Sequence, residues 1–571
     1  MNFKNPNKSI LILFVLLVFG FLHTIPLWDV KTNLAAGYGD PLSHATMGEC
    51  YCTNVLTGNF QSDRFLAPFG TDLSGTFDSP FPFILTCPFL AGGAIFQFHI
   101  FALMQIWLII LGSWLVATCF IKNPVRQLAY ILFVWWCGFY ISRSHQHVTL
   151  LSMIWGLQFV FYAVMNLDPK RLKNVLGSAL LLGLAYTGTF HNIPSLFLIT
   201  LALVAYKFWQ MRSELKNPRA LLNLGIGAGL AVGIFFALWW PMIAYTLKNG
   251  PVIVDEQRRF FNLDLLSAFI PVDGNRLFEW WPSLTHLPLE RQNTFDLVIL
   301  LLVLVSLCTK KFWKDSFRVI LLGVGLVYFI LALGPELRIN NEVSSYLDFN
   351  TEIFRHFPMR ITRTTGRLAM TTNLCFILVA FLFIEGIAKE RIKKYLSYAL
   401  VVWAVLAGPW MNQMWFFPTL NYTQILPANA LTEVRNMPSE TIVVNIPTAW
   451  AQDPSENFLQ IFHGKRITSG YLAYTNYNEK VRENFAGEPF LGKLGCDGEP
   501  TAFALTPLMN DGNALRNYLL AQQYRVIIIN KNILLNNPGC KNLTGWVQYL
   551  AKQPWVKALE ENNLFAVLAV Q

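Results

Sequence analysis

The residue of this sequence best suited to chemistry is Asp40, which lies in the short sequence Gly39-Asp40-Pro41. Its carboxylate is a candidate general base for a hydroxyl group. His44 follows one helical turn later, so both side chains share one helix face and His44 is a candidate substrate contact. A second interpretation is open, because Asp before Pro commonly starts a helix and caps its first turn. The two roles are compatible, and Asp29 is the nearest alternative acid.

A second candidate is the basic segment from Arg355 to Arg367. If its later part is helical, Arg360, Arg363 and Arg367 fall on one face. Arg is the side chain that best forms paired hydrogen bonds with phosphate oxygens. Two ligands fit this cluster, the anionic headgroups of membrane lipids and the phosphate of a substrate. The sequence leaves both open.

Four further acids follow Asp40 within a short distance: Glu49, Asp63, Asp72 and Asp78. Carboxylates are the oxygen ligands that a divalent cation prefers, although acids in solvated loops are commoner. A divalent cation is therefore a candidate cofactor, and its ligands stay unassigned.

Three histidines lie beside apolar segments: His145, His147 and His191. We interpret them as hydrogen-bonding residues at a membrane interface. The sequence contains no P-loop, no dinucleotide glycine motif and no zinc-protease signature. It gives no support to a cytosolic active site fed by nucleotides.

The chain has 9 cysteines. Cys496 and Cys540 both lie in the polar C-terminal region, and we predict a disulfide between them under oxidising conditions. Cys50-x-Cys52 lacks the second pair that a zinc motif requires. A bridge from one of these two residues to Cys87 is a further option.

Long apolar segments must position these residues. Segments of roughly 16–25 residues, enough to cross a bilayer about 30 Å thick, recur between Ile10 and Phe416, and we count eleven. The chain is 54% hydrophobic and only 14% charged, as expected for a polytopic membrane protein. We interpret the first segment as a retained signal anchor.

Lys and Arg cluster in the short loops after every second apolar segment, which the positive-inside rule places in the cytoplasm. Examples are Lys122 with Arg126, Lys170 with Arg171, and Lys310 with Lys311. This rhythm predicts a cytoplasmic N-terminus and puts the longer loops outside. It also explains much of the net charge of +10, so we predict no nucleic-acid partner.

The predicted outer loops at about 29–86, 246–293 and 334–367 are long enough to fold over the membrane. We assign residues 1–416 to a membrane domain and residues 417–571 to a small α/β domain outside the cytoplasm. The C-terminal pattern favours strands at Thr441–Ile446, Arg525–Asn530 and Leu564–Val570, and helices at Glu456–Phe462 and Ala514–Gln523.

The order of several motifs is informative. Gly39-Asp40 precedes the turn Pro68-Phe69-Gly70-Thr71-Asp72-Leu73 and a proline-rich apolar run. Ser144-His145-Gln146-His147-Val148-Thr149-Leu150-Leu151 leads into the fourth apolar segment, and Leu333-Gly334-Pro335-Glu336-Leu337 precedes the Arg360–Arg367 segment. Over most of the chain, this order resembles bacterial members of the GT-C superfamily, which are multi-span glycosyltransferases that use polyprenyl-phosphate-linked sugars.

The resemblance implies a mainly α fold: a transmembrane helical bundle of about eleven spans, with outer-loop helices over a cavity and a C-terminal α/β domain. It implies inverting transfer of a hexose or pentose from a polyprenyl-phosphate donor to an envelope glycan, lipid or protein. The expected location is the outer face of the bacterial inner membrane. Asp40 occupies the position of the base, and Arg360, Arg363 and Arg367 are expected to bind the donor phosphate. The second acid that the family often carries is not found, so metal dependence stays open.

Other functions fit part of the pattern. A glycan ligase or polymerase that uses lipid-diphosphate donors also has many spans and external arginines. A lipid flippase or transporter needs ionisable residues deep in its spans, which these segments almost lack. A noncatalytic envelope assembly protein would tolerate Asn at position 40.

Overall fold

The computed structural model of this chain describes residues 6–55, 57–75, 79–249, 261–270, 291–356, 358–362, 364–412, 414–448, 454–470, 484–496 and 504–571. The structure is mainly helical. Up to residue 405 the described α-helices are α1 (Pro6–His23), α2 (Asp40–Asn54), α3 (Pro80–Thr86), α4 (Ala94–Phe120), α5 (Pro124–Trp135), α6 (Gly138–Arg143), α7 (Ser152–Asn166), α8 (Leu172–Ala185), α9 (Asn192–Gln210), α10 (Pro218–Asn249), α11 (Leu297–Leu307), α12 (Lys310–Trp313), α13 (Ser316–Ala332), α14 (Asp348–Ile353), α15 (Ala369–Glu385) and α16 (Glu390–Val405).

Five helical segments in the described residues are long and apolar enough to cross a membrane: Ala94–Phe120, Val148–Asn166, Asn192–Gln210, Pro218–Lys248 and Thr365–Glu385. The chain is accordingly an integral membrane protein. The second and fifth of these segments are almost wholly buried by other helices, whereas the fourth exposes most of its apolar surface, as a lipid-facing helix does. Shorter apolar helices accompany them, and the count of eleven spans stays a prediction.

The loops with the clustered Lys and Arg residues meet at one end of the helices. Arg126, at the start of α5, pairs with Glu385 at the end of α15, with 2.6 Å between Nε and Oε1. The Lys170 Nζ lies 3.0 Å from the Glu214 Oε1, which links the α7–α8 and α9–α10 connections. The Lys311 Nζ donates to the Gly386 carbonyl oxygen at 3.2 Å. The Asn166 Nδ2 at the end of α7 donates to the Cys119 Sγ near the end of α4 at 3.2 Å, so these loops lie at one surface, as the charge rhythm requires.

The first predicted outer loop is folded rather than extended. It contains β1 (Asn33–Ala35), α2, the short antiparallel pair β2 (Gln61–Ser62) and β3 (Thr71–Asp72), and α3. The apolar run after Pro80 is broken. Helix α3 ends at Thr86, a 3₁₀ helix (Cys87–Gly92) follows, and Gly93, whose φ of 96° favours glycine, separates it from α4.

The third predicted outer loop forms a hairpin of β4 (Glu336–Ile339) and β5 (Glu342–Tyr346). Asp264, from the described part of the second loop, is buried beneath this hairpin and accepts hydrogen bonds from the backbone N–H groups of Asn340 and Asn341 at 3.2 and 2.7 Å. The aromatic sequence Phe278-Glu279-Trp280-Trp281 of the second predicted outer loop lies outside the described residues.

The strands of the C-terminal region are β6 (Thr419–Asn421), β7 (Ile442–Ile446), β8 (Arg466–Ile467), β9 (Tyr524–Asn530), β10 (Val556–Glu561) and β11 (Phe565–Val570). All except β6 form a five-stranded sheet in the order β10-β11-β9-β7-β8. Strand β7 is parallel to both neighbours, and the pairs β9–β11 and β10–β11 are antiparallel. The helices are α17 (Ala428–Arg435), α18 (Ser455–His463), α19 (Pro507–Asn510), α20 (Gly512–Ala521), α21 (Lys531–Asn536) and α22 (Lys541–Ala551).

The α/β character of this region is therefore as predicted. Strands β7, β9 and β11 and helices α18 and α20 lie within two residues of their predicted bounds. The domain boundary at residue 417 and the side of the membrane on which the region lies remain predictions.

Two disulfides link loops in the described residues. Cys496 pairs with Cys540, which confirms the predicted bridge. Cys52 pairs with Cys87, with 5.1 Å between their Cα atoms, and ties the last turn of α2 to the start of the 3₁₀ helix before α4. The second pairing was one of the options that the sequence left open.

Candidate active site

Asp40 is the first residue of α2, and Gly39 precedes it at the N-cap position. Gly39 has a φ of 127°, a backbone conformation that L side chains rarely adopt, so the chain turns sharply into the helix here. The sequence left open whether Asp40 itself is the capping residue. In the structure it lies one position inside the helix, with Pro41 in the first turn.

The Asp40 carboxylate is held by a histidine from a distant part of the chain. The His147 Nδ1 lies 2.8 Å from the Asp40 Oδ2. The side chains are 14% exposed for His147 and 24% exposed for Asp40, so the pair lies at the edge of the protein interior. His147 was expected to form hydrogen bonds, but the sequence did not indicate Asp40 as its partner.

Backbone hydrogen bonds fix the loop that presents His147. Its N–H donates to the carbonyl oxygen of Arg143, the last residue of α6, at 2.8 Å. The Gly37 N–H donates to the His145 carbonyl oxygen at 2.5 Å, which joins this loop to the segment before Asp40. The two partners therefore come from loops whose backbones are hydrogen-bonded to each other, which fixes where the His147 imidazole lies relative to Asp40.

The pair has the chemistry of an oriented base. An imidazole Nδ1–H that donates to one carboxylate oxygen restricts rotation of the carboxylate, and a carboxylate has further lone pairs that can accept a proton. With about a quarter of its side chain exposed, Asp40 is accessible to a reactant. The arrangement suits removal of a proton from a hydroxyl group.

His44 lies on α2 one turn beyond Asp40, as expected. Its side chain is half-buried, and its ring centroid lies 6.4 Å from that of Phe98 on α4. The spacing of four residues places it on the same helix face as Asp40. It is close enough to the base to line the same site.

Arg367 forms a second polar pair with His191. Both side chains are buried, and the Arg367 Nη1 contacts the His191 Nε2. Because a guanidinium only donates hydrogen bonds, His191 must accept through Nε2 and is therefore neutral. Arg367 belongs to a 3₁₀ helix (Thr365–Leu368) directly before α15, and His191 directly precedes α9.

The sequence predicts one shared face for Arg360, Arg363 and Arg367 only if their segment is helical, and that condition is not met between Arg360 and Arg367. Arg360 lies in one 3₁₀ helix (Met359–Ile361) and Arg367 in another, with extended backbone at Thr362 and Thr364 between them. Arg360 is exposed, whereas Arg367 is 4% exposed. The β-branched run around these threonines disfavours a continuous helix. Arg363 lies outside the described residues.

The two polar pairs occupy neighbouring helix starts. After His147 the chain forms a 3₁₀ helix (Val148–Leu151) and enters α7 at Ser152, which is roughly 9 Å of helical rise. The Asn192 side chain, next to His191, donates to the carbonyl oxygens of Ser152 at 3.4 Å and Ala185 at 2.5 Å. Helix α9 therefore begins against the start of α7, and both pairs lie at the same end of the bundle.

The rival acid Asp29 is placed differently. It is exposed, and its Oδ2 accepts a hydrogen bond from the Thr32 hydroxyl three residues later. Its carbonyl oxygen accepts from the Asn33 N–H at 2.9 Å. Asp29 thus stabilises a local turn between α1 and β1.

The acids considered as metal ligands do not converge. Glu49 pairs with Arg64 at 3.2 Å, and the Asp72 carboxylate accepts from the Ser74 N–H at 3.0 Å. Asp78 lies outside the described residues. Within the described part of the chain, no three His, Cys, Asp or Glu side chains form a group that could hold a metal ion. The ligands of a divalent cation therefore stay unassigned.

Comparison with known proteins finds likeness in structure only. No family model and no curated protein matches the sequence. The structure is similar to that of the arabinofuranosyltransferase AftD from Mycobacteria, with a TM-score of 0.54 and 10% identity over 98% of this chain and 40% of that one. A mutant of AftD gives a TM-score of 0.50, with 11% identity over 98% of this chain and 41% of that one. The oligosaccharyltransferase from Archaeoglobus fulgidus gives 0.48, with 11% identity over 93% and 70%.

This chain therefore spans about two fifths of the length of AftD. At such low identity the likeness shows the fold. The structure accordingly shares a fold of apolar helices with AftD, which confirms the expected mainly helical membrane fold in this coarser form.

Proposed function

We propose that this protein is a membrane glycosyltransferase that transfers a sugar from a polyprenyl-phosphate donor to an acceptor hydroxyl, with inversion at the anomeric carbon. The observation that carries the proposal is the Asp40–His147 pair, an oriented and partly exposed carboxylate at the start of an outer-loop helix. The fold shared with AftD supports the same reaction class.

The proposed reaction is a single displacement. Asp40 accepts the proton of the acceptor hydroxyl while the hydroxyl oxygen forms a bond to the anomeric carbon. The bond from that carbon to the phosphate oxygen breaks on the opposite face, and its electron pair leaves with the polyprenyl phosphate. Attack from the opposite face inverts the configuration. His147 is a positioning residue, because it holds Asp40 and does not contact the reacting atoms.

The leaving phosphate gains negative charge and needs stabilisation rather than a proton. Arg367 is suited to this role because its guanidinium is buried, where an electrostatic contact is stronger than in water. Neutral His191 orients it without competing for the anion. Arg360, which is exposed, is suited to the outer part of the donor headgroup, and Arg363 is assigned to the donor phosphate from the sequence alone. We assign His44 to the acceptor or sugar, beside Asp40.

The proposed location is the outer face of the bacterial inner membrane, with the C-terminal α/β region outside the cytoplasm. The contacts among the basic loops support this orientation, because they place the clustered positive charge at one end of the helices. His147 and His191 precede α7 and α9, whose far ends lead into these basic loops. The proposed site therefore lies at the opposite end. The acceptor is a glycan, lipid or protein of the cell envelope.

The test is Asp40→Asn in native membranes, with release of polyprenyl phosphate measured from synthetic polyprenyl-phosphate-linked pentose and hexose donors. Asn keeps an oxygen that can accept from His147, so α2 should stay in place. The loss of the proton acceptor should reduce turnover roughly 10²–10⁴-fold. Asp29→Asn is the matched control, because it alters an exposed acid in the same outer loop, and it should leave turnover unchanged.

Three outcomes separate the alternatives. Loss in Asp40→Asn alone supports the proposal. Loss in Asp29→Asn alone moves the base to Asp29. Unchanged turnover in both variants contradicts the catalytic use of these acids. Wild-type turnover no higher than that of membranes lacking the protein favours a noncatalytic assembly protein.

A further inference from the structure

Helix α2, which carries Asp40, forms hydrogen bonds with helix α18 of the C-terminal region. The Asn457 side chain on α18 donates from Nδ2 to the Ser43 Oγ on α2 at 3.0 Å. The Thr46 Oγ1 donates to the Asn457 carbonyl oxygen at 2.8 Å. Ser43 and Asn457 are 414 positions apart in the sequence, so this is a contact between distant parts of the chain.

This contact is removed from solvent. Ser43, Thr46 and Asn457 are all buried, and Thr46 and Asn457 are fully so. Buried polar groups retain their partners because no water replaces a lost hydrogen bond. The contact therefore fixes both the distance between α2 and α18 and the rotation of α2 about its axis.

A second set of contacts holds the same loop further along. The Ala67 N–H donates to the Ile467 carbonyl oxygen at 2.9 Å, and the Ile467 N–H donates to the Arg64 carbonyl oxygen at 2.8 Å. The Arg64 Nη2 also donates to the Gln460 Oε1 at 3.0 Å. The first outer loop thus lies along β8 at the edge of the C-terminal sheet, and α2 cannot shift without disturbing that region.

We infer that Asn457 is a positioning residue for Asp40, and that the C-terminal region thereby sets the rate of the transfer reaction; this inference rests on the proposed function. Ser43 lies three residues after Asp40, within the same helical turn, so a change at Ser43 moves the start of the helix. A displacement of about 1 Å at a reacting group can reduce a rate roughly 10²-fold. The contacts on the two sides of α2, from His147 and from Asn457, together define where the carboxylate lies.

The experiment compares Asn457→Ala with Thr468→Val in the full-length protein. Thr468 is fully buried in the same region, and its Oγ1 accepts from the Asn445 N–H at 3.0 Å, but this bond lies inside the C-terminal region and does not touch α2. Both variants remove one buried hydrogen-bonding side chain. Only the first removes a contact to the helix that carries Asp40.

Two measurements are made on each variant. The first is polyprenyl phosphate release from the synthetic donors, resolved into kcat and KM. The second is hydrogen–deuterium exchange of peptides that cover residues 40–46. Asn457→Ala should lower kcat roughly 10–100-fold with little change in KM, and should speed exchange at the start of α2. Thr468→Val should leave kcat and that exchange unchanged.

Equal behaviour of the two variants in kcat and in exchange would overturn the inference. If Asn457→Ala does not fold, Ser43→Ala removes the same hydrogen bond from the other partner with a smaller change, and must give the same fall in kcat. Failure of the proposed function is recognised separately, because Asp40→Asn would then retain full turnover while the exchange measurement still decides whether Asn457 holds α2.

Discussion

Removal of the His147 imidazole tests whether the proposed base depends on its partner. In His147→Ala, the Asp40 Oδ2 loses a donor at 2.8 Å. A hydrogen bond to a charged group contributes about 1.5–3 kcal/mol. Because the two side chains are 14% and 24% exposed, water replaces part of that contribution, and the lower end of the range applies.

This bond holds the carboxylate in one orientation, so its loss lowers the population of that orientation by a factor of ten for each 1.36 kcal/mol, which is roughly tenfold. Misplacement of the reacting group by about 1 Å costs up to roughly 10²-fold. We therefore expect kcat for donor turnover to fall between about 10-fold and 100-fold in His147→Ala. KM for the donor should change little, because His147 does not contact the donor in the proposed mechanism.

The matched control is His147→Asn. The donor to Asp40 is Nδ1, and the amide nitrogen of Asn lies close to the position of that atom, so this variant keeps an N–H donor without an imidazole. It should retain most of the wild-type kcat. Full kcat in His147→Ala would refute the orienting role. A loss in His147→Asn as large as that in His147→Ala would show that the imidazole itself is required.

Three further predictions concern topology, redox state and pH. Reporter fusions after Lys394 and after Leu543 should report opposite compartments, because the distribution of Lys and Arg places Lys394 in the cytoplasm and Leu543 outside it. The same compartment for both fusions would contradict the proposed orientation. Thiol labelling of the denatured, unreduced protein should spare the four cysteines of the two disulfides and modify the free ones, which are Cys50, Cys119, Cys137, Cys308 and Cys375. Labelling of Cys496 or Cys540 would instead place the C-terminal region in a reducing compartment. Burial lowers the pKa of His463 to about 3, below its unfolded value near 6.5. Because the unfolded chain then binds a proton that the folded chain does not, the free energy of unfolding is highest above pH 6.5 and falls by about 1.4 kcal/mol per pH unit between pH 6.5 and pH 3. His463→Gln should flatten the dependence of the melting temperature on pH across that range, and an unchanged slope would assign it to another group.

The sequence predicted well those elements in which one periodicity dominates. The apolar helices follow from long runs of hydrophobic residues, and β7, β9 and β11 follow from short runs of Ile and Val bounded by polar turns. Strand β10 (Val556–Glu561) was not predicted. Its residues favour a helix, but its pairing with β11 along the edge of the sheet determines its conformation. Tertiary contact outweighs local propensity at this position.

In the arginine segment, by contrast, local propensity itself disfavours the helix that the side-chain spacing assumes. A spacing of three and four residues indicates one face only if the segment is a helix, and the threonines at 362, 364 and 365 disfavour that helix. The structure consequently separates the arginines by burial, with Arg360 in solvent and Arg367 against His191. The low helix propensity of these threonines is therefore a signal in the sequence itself against a continuous helix.

The candidate site depends on pairs that no local pattern contains. Asp40 was identified as a helix-start acid, and His147 as a polar residue beside an apolar segment, but their contact depends on how the loop before α2 crosses the loop after α6. The pairs His191–Arg367 and Ser43–Asn457 likewise join loops and helix starts that are 176 and 414 positions apart. Membrane insertion depends on the apolar helices, whereas the proposed chemistry depends on these pairs. Substitutions that remove a partner of these pairs should therefore reduce transfer while the protein remains inserted, and a loss of insertion in Asp40→Asn or His147→Ala would show that the pair serves the fold instead.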